Sequence, residues 1–222
     1  MFSFKNLGTQ YQIAKWYGRI YFNWGLKRTL DLCLTIPGII VLTPLFLYVA
    51  YRIKKYDNGP VLYWQKRVGW DVKEFDFPKF RSMVVNSDEI RDQILAQNQH
   101  GSEGVTFKMK EDPRITPIGK FIRRYSIDEL PQLWCVLKGE MSIVGPRPPL
   151  PSEVANYTPE QHMRLMLKPG LTCLWQINGR SEIPFEEQFK LDMDYMRRYN
   201  IWTDIKIIFL TIPAILKGDG AY

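Results

Sequence analysis

The longest hydrophobic pattern in the sequence is an uncharged stretch near the N-terminus, LCLTIPGIIVLTPLFLYVAY, from Leu32 to Tyr51. At about 1.5 Å per helical residue, it is just long enough to cross a hydrocarbon core of about 30 Å. Pro37 and Pro44 lie inside it, and each removes one helical hydrogen bond and favours a kink. The pattern therefore predicts a membrane helix that bends, not a regular membrane span.

The charges on the two sides of this stretch indicate how it meets the membrane. Basic residues flank it at both ends: Lys27 and Arg28 before it, and Arg52, Lys54 and Lys55 after it. Because cytoplasmic flanks carry an excess of Lys and Arg, both ends are predicted on the cytoplasmic side. A re-entrant helix that breaks at Thr43 and Pro44 satisfies both observations, and the Thr43 hydroxyl can bond a carbonyl that the bend frees. A kinked single span and a buried pair of soluble helices are the alternatives.

Two further segments have the character of interfacial helices. Residues 1–26 mix aromatic and basic side chains, as an amphipathic helix on a membrane surface does. Residues 201–218 are strongly apolar with few charges, which suits either a core helix or a second interfacial helix. We therefore divide the chain into an N-terminal amphipathic arm (1–26), a re-entrant membrane helix (27–55) and a cytoplasmic domain that forms one functional unit (56–222).

The remaining pattern predicts an α-rich α+β domain. The aromatic-rich, β-favouring segments Val61–Gln65 and Glu74–Phe80 flank VGWD, which predicts a β-hairpin. Residues 82–104 are polar and predict a surface helix and a loop. Thr158–Leu167 and Phe185–Tyr199 have helical patterns, and the first opens on Thr-Pro-Glu, a favourable helix start.

Charge and composition narrow the class of partner. The formal net charge is +7, and residues 1–60 hold eight basic side chains against two acidic ones. Anionic lipid and nucleic acid both suit such a segment, but the long hydrophobic stretch within it argues against nucleic acid. Cys33, Cys135 and Cys173 have no CxxC spacing, which argues against a disulfide framework or a zinc site.

The segment YSIDELPQLW (125–134) places two carboxylates, Asp128 and Glu129, just ahead of a proline. One interpretation is helix capping, either by a box of Ser126 and Glu129 or by Asp128 itself, and the position of Pro131 favours Asp128. The other interpretation is chemical. Adjacent helical residues point about 100° apart, so one carboxylate can act as a nucleophile while its neighbour binds a hard cation such as Mg²⁺.

Basic residues that suit phosphate groups occur near this acid pair. Arg123 and Arg124 lie just upstream, Arg147 stands between two prolines, and Arg180 follows in QINGR. Arginine forks bind phosphate oxygens bidentately, and the flanking prolines hold Arg147 in a defined direction. The combination is typical of a site for a diphosphate.

Four motifs then occur in one consistent order: KFRSM (79–83), DPRITPIGKFIRRYSIDELPQLWCVLKGEMSIVGPRPP (112–149), KPGLTCLWQINGR (168–180) and LDMDYMRRYNIWTDIKIIFLT (191–211). From about Lys27 to the C-terminus the chain resembles the bacterial sugar transferases, the family of monotopic phosphoglycosyl transferases, in their small catalytic-unit form. The resemblance implies a monotopic enzyme on the cytoplasmic face of the bacterial inner membrane. It also implies a re-entrant helix with its break at Thr43 and Pro44.

The resemblance implies a specific reaction and a role for each site residue. Asp128 corresponds to a nucleophile that attacks the β-phosphate of a UDP-sugar, releases UMP and carries the sugar phosphate. Polyprenyl (undecaprenyl) phosphate then accepts it, giving a polyprenyl diphosphate sugar that starts a surface polysaccharide. Glu129 corresponds to the Mg²⁺ ligand. The phosphate- and nucleotide-binding positions correspond to Arg123, Arg147, Arg180, Lys79, Pro146 and Pro148.

Some features depart from this family or leave other functions open. Cys173 stands where many relatives have glycine, which obscures the choice of sugar. A non-catalytic scaffold is the main rival, with arginines on anionic lipid head groups and an acid pair that only caps a helix. A second rival transfers the sugar alone and releases UDP. The sequence names no sugar and is compatible with both a monomer and a homo-oligomer.

Overall fold

A computed structural model describes residues 7–87, 112–179 and 183–217, with side chains from residue 23 onward. The helices are α1 (Leu7–Asp57), α2 (Pro117–Arg124), α3 (Leu133–Lys138), α4 (Pro151–Val154), α5 (Pro159–His162), α6 (Leu174–Ile177), α7 (Phe185–Arg197) and α8 (Ile201–Lys217). The strands are β1 (Leu62–Val68), β2 (Glu74–Phe80), β3 (Ser142–Val144) and β4 (Gly170–Thr172). Short 3₁₀-helices occupy Trp70–Val72, Ile127–Gln132 and Met163–Met166. The described chain is thus α-rich with a β-hairpin, as predicted, and it also contains a second small sheet, which was not predicted.

Helix α1 joins most of the predicted arm and the predicted membrane helix into one element. It continues without interruption through Pro37 and Pro44. The Thr43 hydroxyl donates to the carbonyl of Ile39 at 2.8 Å, whereas the carbonyl that loses its donor to Pro44 lies one residue later. No break in helical structure is therefore seen at Thr43 and Pro44, and a bend there stays a prediction.

A buried ionic network binds the first part of α1 to the domain. The Lys27 ammonium donates to the Asp204 carboxylate at 2.6 Å, to the Val144 carbonyl at 2.8 Å and to the Tyr195 hydroxyl at 3.2 Å. Only 8% of Lys27 is exposed. The charge of Lys27 is therefore neutralised inside the protein, a contact that the flanking charges in the sequence did not predict.

Two neighbours of Lys27 also bind the domain. The Arg28 guanidinium donates to the carbonyls of Val136 and Leu137, in the last turn of α3, at 2.6 and 2.8 Å. The Asp31 carboxylate accepts from the Ser142 hydroxyl and the Ile143 amide, both at 2.9 Å. These contacts fix α1 against β3.

The last part of α1 packs on the same domain. Val49 and Ile53 are buried against Phe80 of β2 and Ile122 of α2. Between the two ends, α1 leaves much of its apolar surface exposed, with Val41 75% exposed. The stretch Asn23–Asp57 has the length and hydropathy of a membrane helix, and only 11% of its most apolar window is buried in the protein.

The predicted β-hairpin is confirmed, with a longer first strand. Strands β1 and β2 pair antiparallel from Leu62 opposite Phe80 to Val68 opposite Glu74. The sequence analysis ended β1 at Gln65 because two basic residues and a glycine follow, but the strand continues to Val68 and only then turns. The strands present Phe75, Phe77 and Phe80 to the core.

Strands β3 and β4 form a short parallel pair. The Gly145 amide donates to the Thr172 carbonyl at 3.0 Å, and the Gly170 amide donates to the Pro146 carbonyl at 2.9 Å. A Cβ atom on Gly170 would come within 2.0 Å of the Gly145 nitrogen, so the two segments approach this closely only with glycine there. This contact holds the segment that begins with Pro146.

The predicted helices of the C-terminal half are largely confirmed. The Thr158 hydroxyl caps α5, which continues into a 3₁₀-turn, and α7 follows as a regular helix. Helix α8 buries Asp204 and Ile207 but exposes Trp202 and Phe209, so it has both a core face and an exposed apolar face. Most of the predicted 82–104 helix and loop lies outside the described residues.

Candidate functional site

The acid pair lies on the 3₁₀-helix Ile127–Gln132, and neither predicted capping arrangement forms. Ser126 precedes the helix with a left-handed backbone, φ 53°, and its side chain makes no capping bond. Asp128 is not the cap either, because it is the second residue of the helix and is buried. Strained backbone of this kind is frequent at functional sites. Capping alone therefore does not explain the acid pair.

Glu129 is held by two cations. Its Oε1 atom accepts from Lys79 Nζ and from Arg147 Nη2, both at 2.7 Å, and its Oε2 atom accepts from Arg147 Nη1 at 3.3 Å. Burial alone would raise the pKa of Glu129, but the adjacent Arg147 and Lys79 hold that pKa well below its usual range. Glu129 is therefore an ionised carboxylate that orients both cations.

Asp128 differs from Glu129 in its hydrogen bonds, its ion pairs and the direction of its pKa shift. It accepts no hydrogen bond and forms no ion pair with any described residue. Burial raises the pKa of Asp128 to about 6, although the charge of Lys79 opposes the rise. Two adjacent carboxylates whose pKa values are driven apart are a common basis for divided roles in catalysis. Asp128 is the carboxylate left available to react.

Arg147 reaches the acid pair because the backbone around it is fixed. Pro146 accepts from β4, the Pro148 carbonyl accepts from Arg67 at 3.1 Å, and the next carbonyl accepts from the end of β1. Pro146 and Pro148 are both buried, and Arg147 points to Glu129 between them. The predicted role of the prolines in directing Arg147 has a physical basis in these contacts.

Lys79 and Arg67 come from the two strands of the hairpin. Lys79 lies near the end of β2, where its ammonium sits 5.5 Å from the centre of the Phe77 ring. Arg67 stacks on the same ring at 5.4 Å and bonds the side chain of Gln65. Burial, and then the charge of Arg147, lower the pKa of Arg67 to about 10. Arg67 forms no ion pair with a described carboxylate.

Arg67 was not among the site residues predicted from the sequence. A signal for it was nevertheless present in the strand pattern. Gln65 and Arg67 pair directly across the hairpin with Phe77 and Phe75, so they lie on the same face of the sheet as these two core residues. A basic residue on a face that packs on the core is partly buried and requires polar partners.

The other two predicted arginines have different outcomes. Arg123 lies in the last turn of α2 and is half-buried, and its charge acts to lower the pKa of Asp128. It therefore lies near enough to the acid pair to act on an anion there. Arg180 lies outside the described residues, so its predicted role stays a prediction. The structure thus brings together Lys79, Asp128, Glu129 and Arg147.

The donor set fits Mg²⁺ only together with substrate. Within the described ranges, no group of three or more His, Cys, Asp or Glu side chains could hold a metal ion. Magnesium usually takes one or two carboxylates, and substrate phosphates and water complete its shell. Glu129 Oε2, with its single long bond, has room for such a cation.

The described chain thus combines an acid pair, of which Glu129 is bound by two cations, with a long apolar helix that is mostly exposed. Residues 22–218 match the bacterial sugar transferase family, and the chain belongs to that family.

Three relatives illustrate the similarity. A galactosyl transferase, CpsE, of Streptococcus agalactiae is 48% identical over 88% of this chain. The undecaprenyl-phosphate galactose phosphotransferase of Salmonella typhimurium and the UDP-galactose-lipid carrier transferase of Erwinia amylovora are each 44% identical over 89% of it. The chain spans 43%, 42% and 42% of the lengths of these three relatives.

Proposed function

We propose that the protein transfers a sugar phosphate from a UDP-sugar to polyprenyl phosphate, releasing UMP and forming a polyprenyl diphosphate sugar. The observation that carries the proposal is Asp128, a buried carboxylate without a hydrogen-bond partner in the described chain, beside a cation-bound Glu129. Family membership and the names of two relatives, which mention undecaprenyl phosphate and UDP-galactose, support it. The product would start a surface polysaccharide.

The cations prepare the donor for attack. Lys79 and Arg147 offer donors on one side of the acid pair, where they neutralise the charge of a diphosphate. Arg123 adds positive charge from the end of α2. Mg²⁺, held by Glu129 and phosphate oxygens, supplies further charge neutralisation when bound. An anionic carboxylate can then approach the phosphorus.

The first half-reaction forms a covalent intermediate. An Asp128 carboxylate oxygen attacks the β-phosphorus of the UDP-sugar, and the bond from that phosphorus to the bridging oxygen breaks. The electron pair leaves with UMP, and the sugar phosphate stays on Asp128 as an acyl phosphate. Lys79 and Arg147 stabilise the negative charge that develops on the phosphoryl oxygens and on the leaving phosphate.

The second half-reaction returns the enzyme to its starting state. A phosphate oxygen of polyprenyl phosphate attacks the phosphorus of the acyl phosphate, forming the new diphosphate bond. The bond between phosphorus and the Asp128 oxygen breaks, which regenerates the carboxylate. Because donor and acceptor react in turn, one set of cations can serve both substrates.

The protein acts as a monotopic enzyme on the cytoplasmic face of the inner membrane. Lys27 and Ile53, on the two sides of the apolar stretch, are both buried against one domain. A helix that crossed the bilayer completely would place its two ends on opposite faces, where a single soluble domain cannot contact both. A re-entrant course, with the bend near Pro44, agrees with this contact pattern.

Cysteine labelling tests the topology. In a Cys33→Ser background, which removes an exposed thiol, single cysteines at Lys15 and Tyr56 are treated with a membrane-impermeant maleimide in sealed spheroplasts and in inverted vesicles. Both should react in the inverted vesicles only. Reaction of the two cysteines from opposite sides would contradict the re-entrant course.

Product analysis tests the reaction. The purified protein is incubated with Mg²⁺, polyprenyl phosphate and a panel of UDP-sugars, and released nucleotides are separated by chromatography. UMP is expected with one donor or a few. UDP as the product would indicate transfer of the sugar alone, and the absence of both nucleotides would favour a non-catalytic scaffold.

A further inference from the structure

A cavity adjoins the acid pair on the side that faces α8. It has a volume of about 210 Å³ and lies between α8, the β3–β4 pair and the 3₁₀-helix that carries Asp128. Aliphatic side chains provide most of its lining: Leu130, Ile143, Leu171, Ile208, Ile212 and Ile215. An engineered apolar cavity of about 150 Å³ holds benzene, so this one has room for one or two five-carbon units.

The lining has few polar residues, which are Ser126, Glu129, Thr172, Gln176 and Thr211. The Gln176 Oε1 atom accepts from the Cys173 thiol at 3.3 Å. The Thr172 and Thr211 hydroxyls lie 2.8 Å apart, and Thr211 also donates to the Ile207 carbonyl at 2.7 Å. Each is therefore already hydrogen-bonded within the protein. A uracil or a sugar in this cavity would lose hydrogen bonds to water without recovering them. The lining suits a hydrocarbon.

One end of the cavity carries charge. Among the described residues that line it, Glu129 is the one with an ionisable side chain, and that carboxylate binds Lys79 and Arg147. A ligand that fills the cavity with a hydrocarbon chain therefore brings its first polar group to these cations. A hydrocarbon chain that ends in a phosphate matches both parts.

Helix α8 connects the cavity with the exposed apolar surface. Ile212 lines the cavity and is also 55% exposed, while Phe209 and Leu216 are 69% and 68% exposed. An exposed apolar helix face of this kind suits the boundary between head groups and acyl chains. The remainder of a long isoprenoid chain could thus leave the cavity directly into lipid.

We propose that this cavity binds the first isoprenoid units of the polyprenyl phosphate acceptor, with its phosphate at Lys79 and Arg147 and the rest of its chain along α8 in the membrane. This inference rests on the proposed function and specifies the acceptor site within it. It assigns the acceptor chain to α8 and not to α1, which is the other long exposed apolar surface of the described chain.

Filling the cavity separates the two half-reactions. Ala214 lines the cavity, so Ala214→Trp should raise the KM for polyprenyl phosphate by about tenfold or more, equivalent to ~1.4 kcal/mol of binding. The burst of UMP from a UDP-sugar without acceptor should keep its amplitude. Ala155→Trp, which makes the same substitution at an exposed alanine after α4 and outside the cavity lining, is the matched control and should retain the wild-type KM.

The outcomes distinguish the cavity from the reaction. A normal UMP burst with an unchanged acceptor KM in Ala214→Trp would overturn the cavity assignment while leaving the proposed reaction intact. Absence of a UMP burst in the wild type would remove the reaction itself.

A measurement on the unmodified protein covers the case in which Ala214→Trp fails to fold. A polyprenyl phosphate with a photoreactive diazirine on its first isoprenoid unit is crosslinked to the wild type, and the labelled peptide is sequenced. Crosslinks within residues 208–215 are expected, and crosslinks confined to residues 34–48 of α1 would refute the assignment.

Discussion

Two clusters of buried charge in the described chain differ in how completely their charged groups are paired. In the α1 network, defined by Lys27, Asp204 and Tyr195, the ammonium has three acceptors and its counter-ion is bonded in turn by the tyrosine hydroxyl at 2.7 Å. In the acid-pair site, Glu129 engages two cations while Asp128 engages no described residue.

The difference distinguishes charges that stabilise the fold from charges that are available to a ligand. A buried charged group without its partners costs several kcal/mol, so folding alone favours the closed arrangement around Lys27. The acid-pair site keeps a buried carboxylate that has no hydrogen-bond partner among the described residues, at a cost in stability, which is expected where a ligand supplies the missing interaction. Substitutions in the two clusters should therefore have opposite effects on activity and stability.

Replacing the unpartnered carboxylate should abolish turnover and spare the fold. For Asp128→Asn we expect multiple-turnover UMP release to fall by at least about 10³-fold, because the nucleophile is lost. The free energy of unfolding should be unchanged or higher, since a buried charge is removed. Activity and denaturant unfolding in detergent micelles measure the two quantities. A clear loss of stability without loss of activity would give Asp128 a structural role.

The reciprocal substitution lies in the α1 network. Asp204→Asn leaves the Lys27 ammonium without its buried counter-ion, and we expect a loss of about 3–5 kcal/mol in the free energy of unfolding. The UMP burst per folded molecule should stay close to that of the wild type. Glu140→Gln, in a more exposed ion pair with Lys138, is the control and should cost less than about 1 kcal/mol.

A conservative change at Arg147, which stands between two prolines, should have an intermediate effect on catalysis. Arg147→Lys keeps the charge but loses the fork that contacts both oxygens of Glu129. We expect kcat/KM for the UDP-sugar to fall roughly tenfold to a hundredfold, as for a lost hydrogen bond to a charged group. Steady-state kinetics at several donor concentrations measure it. Wild-type kinetics in this variant would show that a point charge is sufficient.

The comparison of paired charges extends to Asp57 and Arg81, an ion pair that is partly exposed to water. Arg81 holds the pKa of Asp57 at about 2, so this pair stabilises the fold above the unfolded pKa of about 3.9. That contribution is lost as the pH falls through about 2. The stability difference between wild type and Asp57→Asn should therefore be present at pH 5 and shrink steadily towards pH 2. A difference independent of pH would exclude this electrostatic origin.

Several elements could be predicted from the sequence because their pattern is local. Alternating aromatic and polar residues predicted both strands of the hairpin, and Thr-Pro-Glu predicted the start of α5. Lys79, Glu129 and Arg147 came from motifs far apart in the chain, and the structure places them within hydrogen-bond distance.

What could not be predicted depends on contacts between distant segments. Lys27 could be recognised only as a basic residue that flanks the apolar stretch, because the fold alone brings Asp204 and Tyr195 to it. Arg67 was not predicted as a site residue, because its position depends on the partner strand and on the Pro148 carbonyl. Helix capping was one interpretation of the acid pair, but Ser126 makes no capping bond. Its left-handed backbone changes the direction in which the chain enters the helix.

Intact-protein mass spectrometry tests the central claim most directly. The wild type and Asp128→Asn are each incubated with Mg²⁺ and a panel of UDP-sugars, without acceptor, and their masses are compared. The account predicts an added sugar phosphate on the wild type only, with one UMP released for each adduct, and its removal by polyprenyl phosphate. UMP release that requires the acceptor and leaves no adduct, or an adduct that persists in Asp128→Asn, would contradict it.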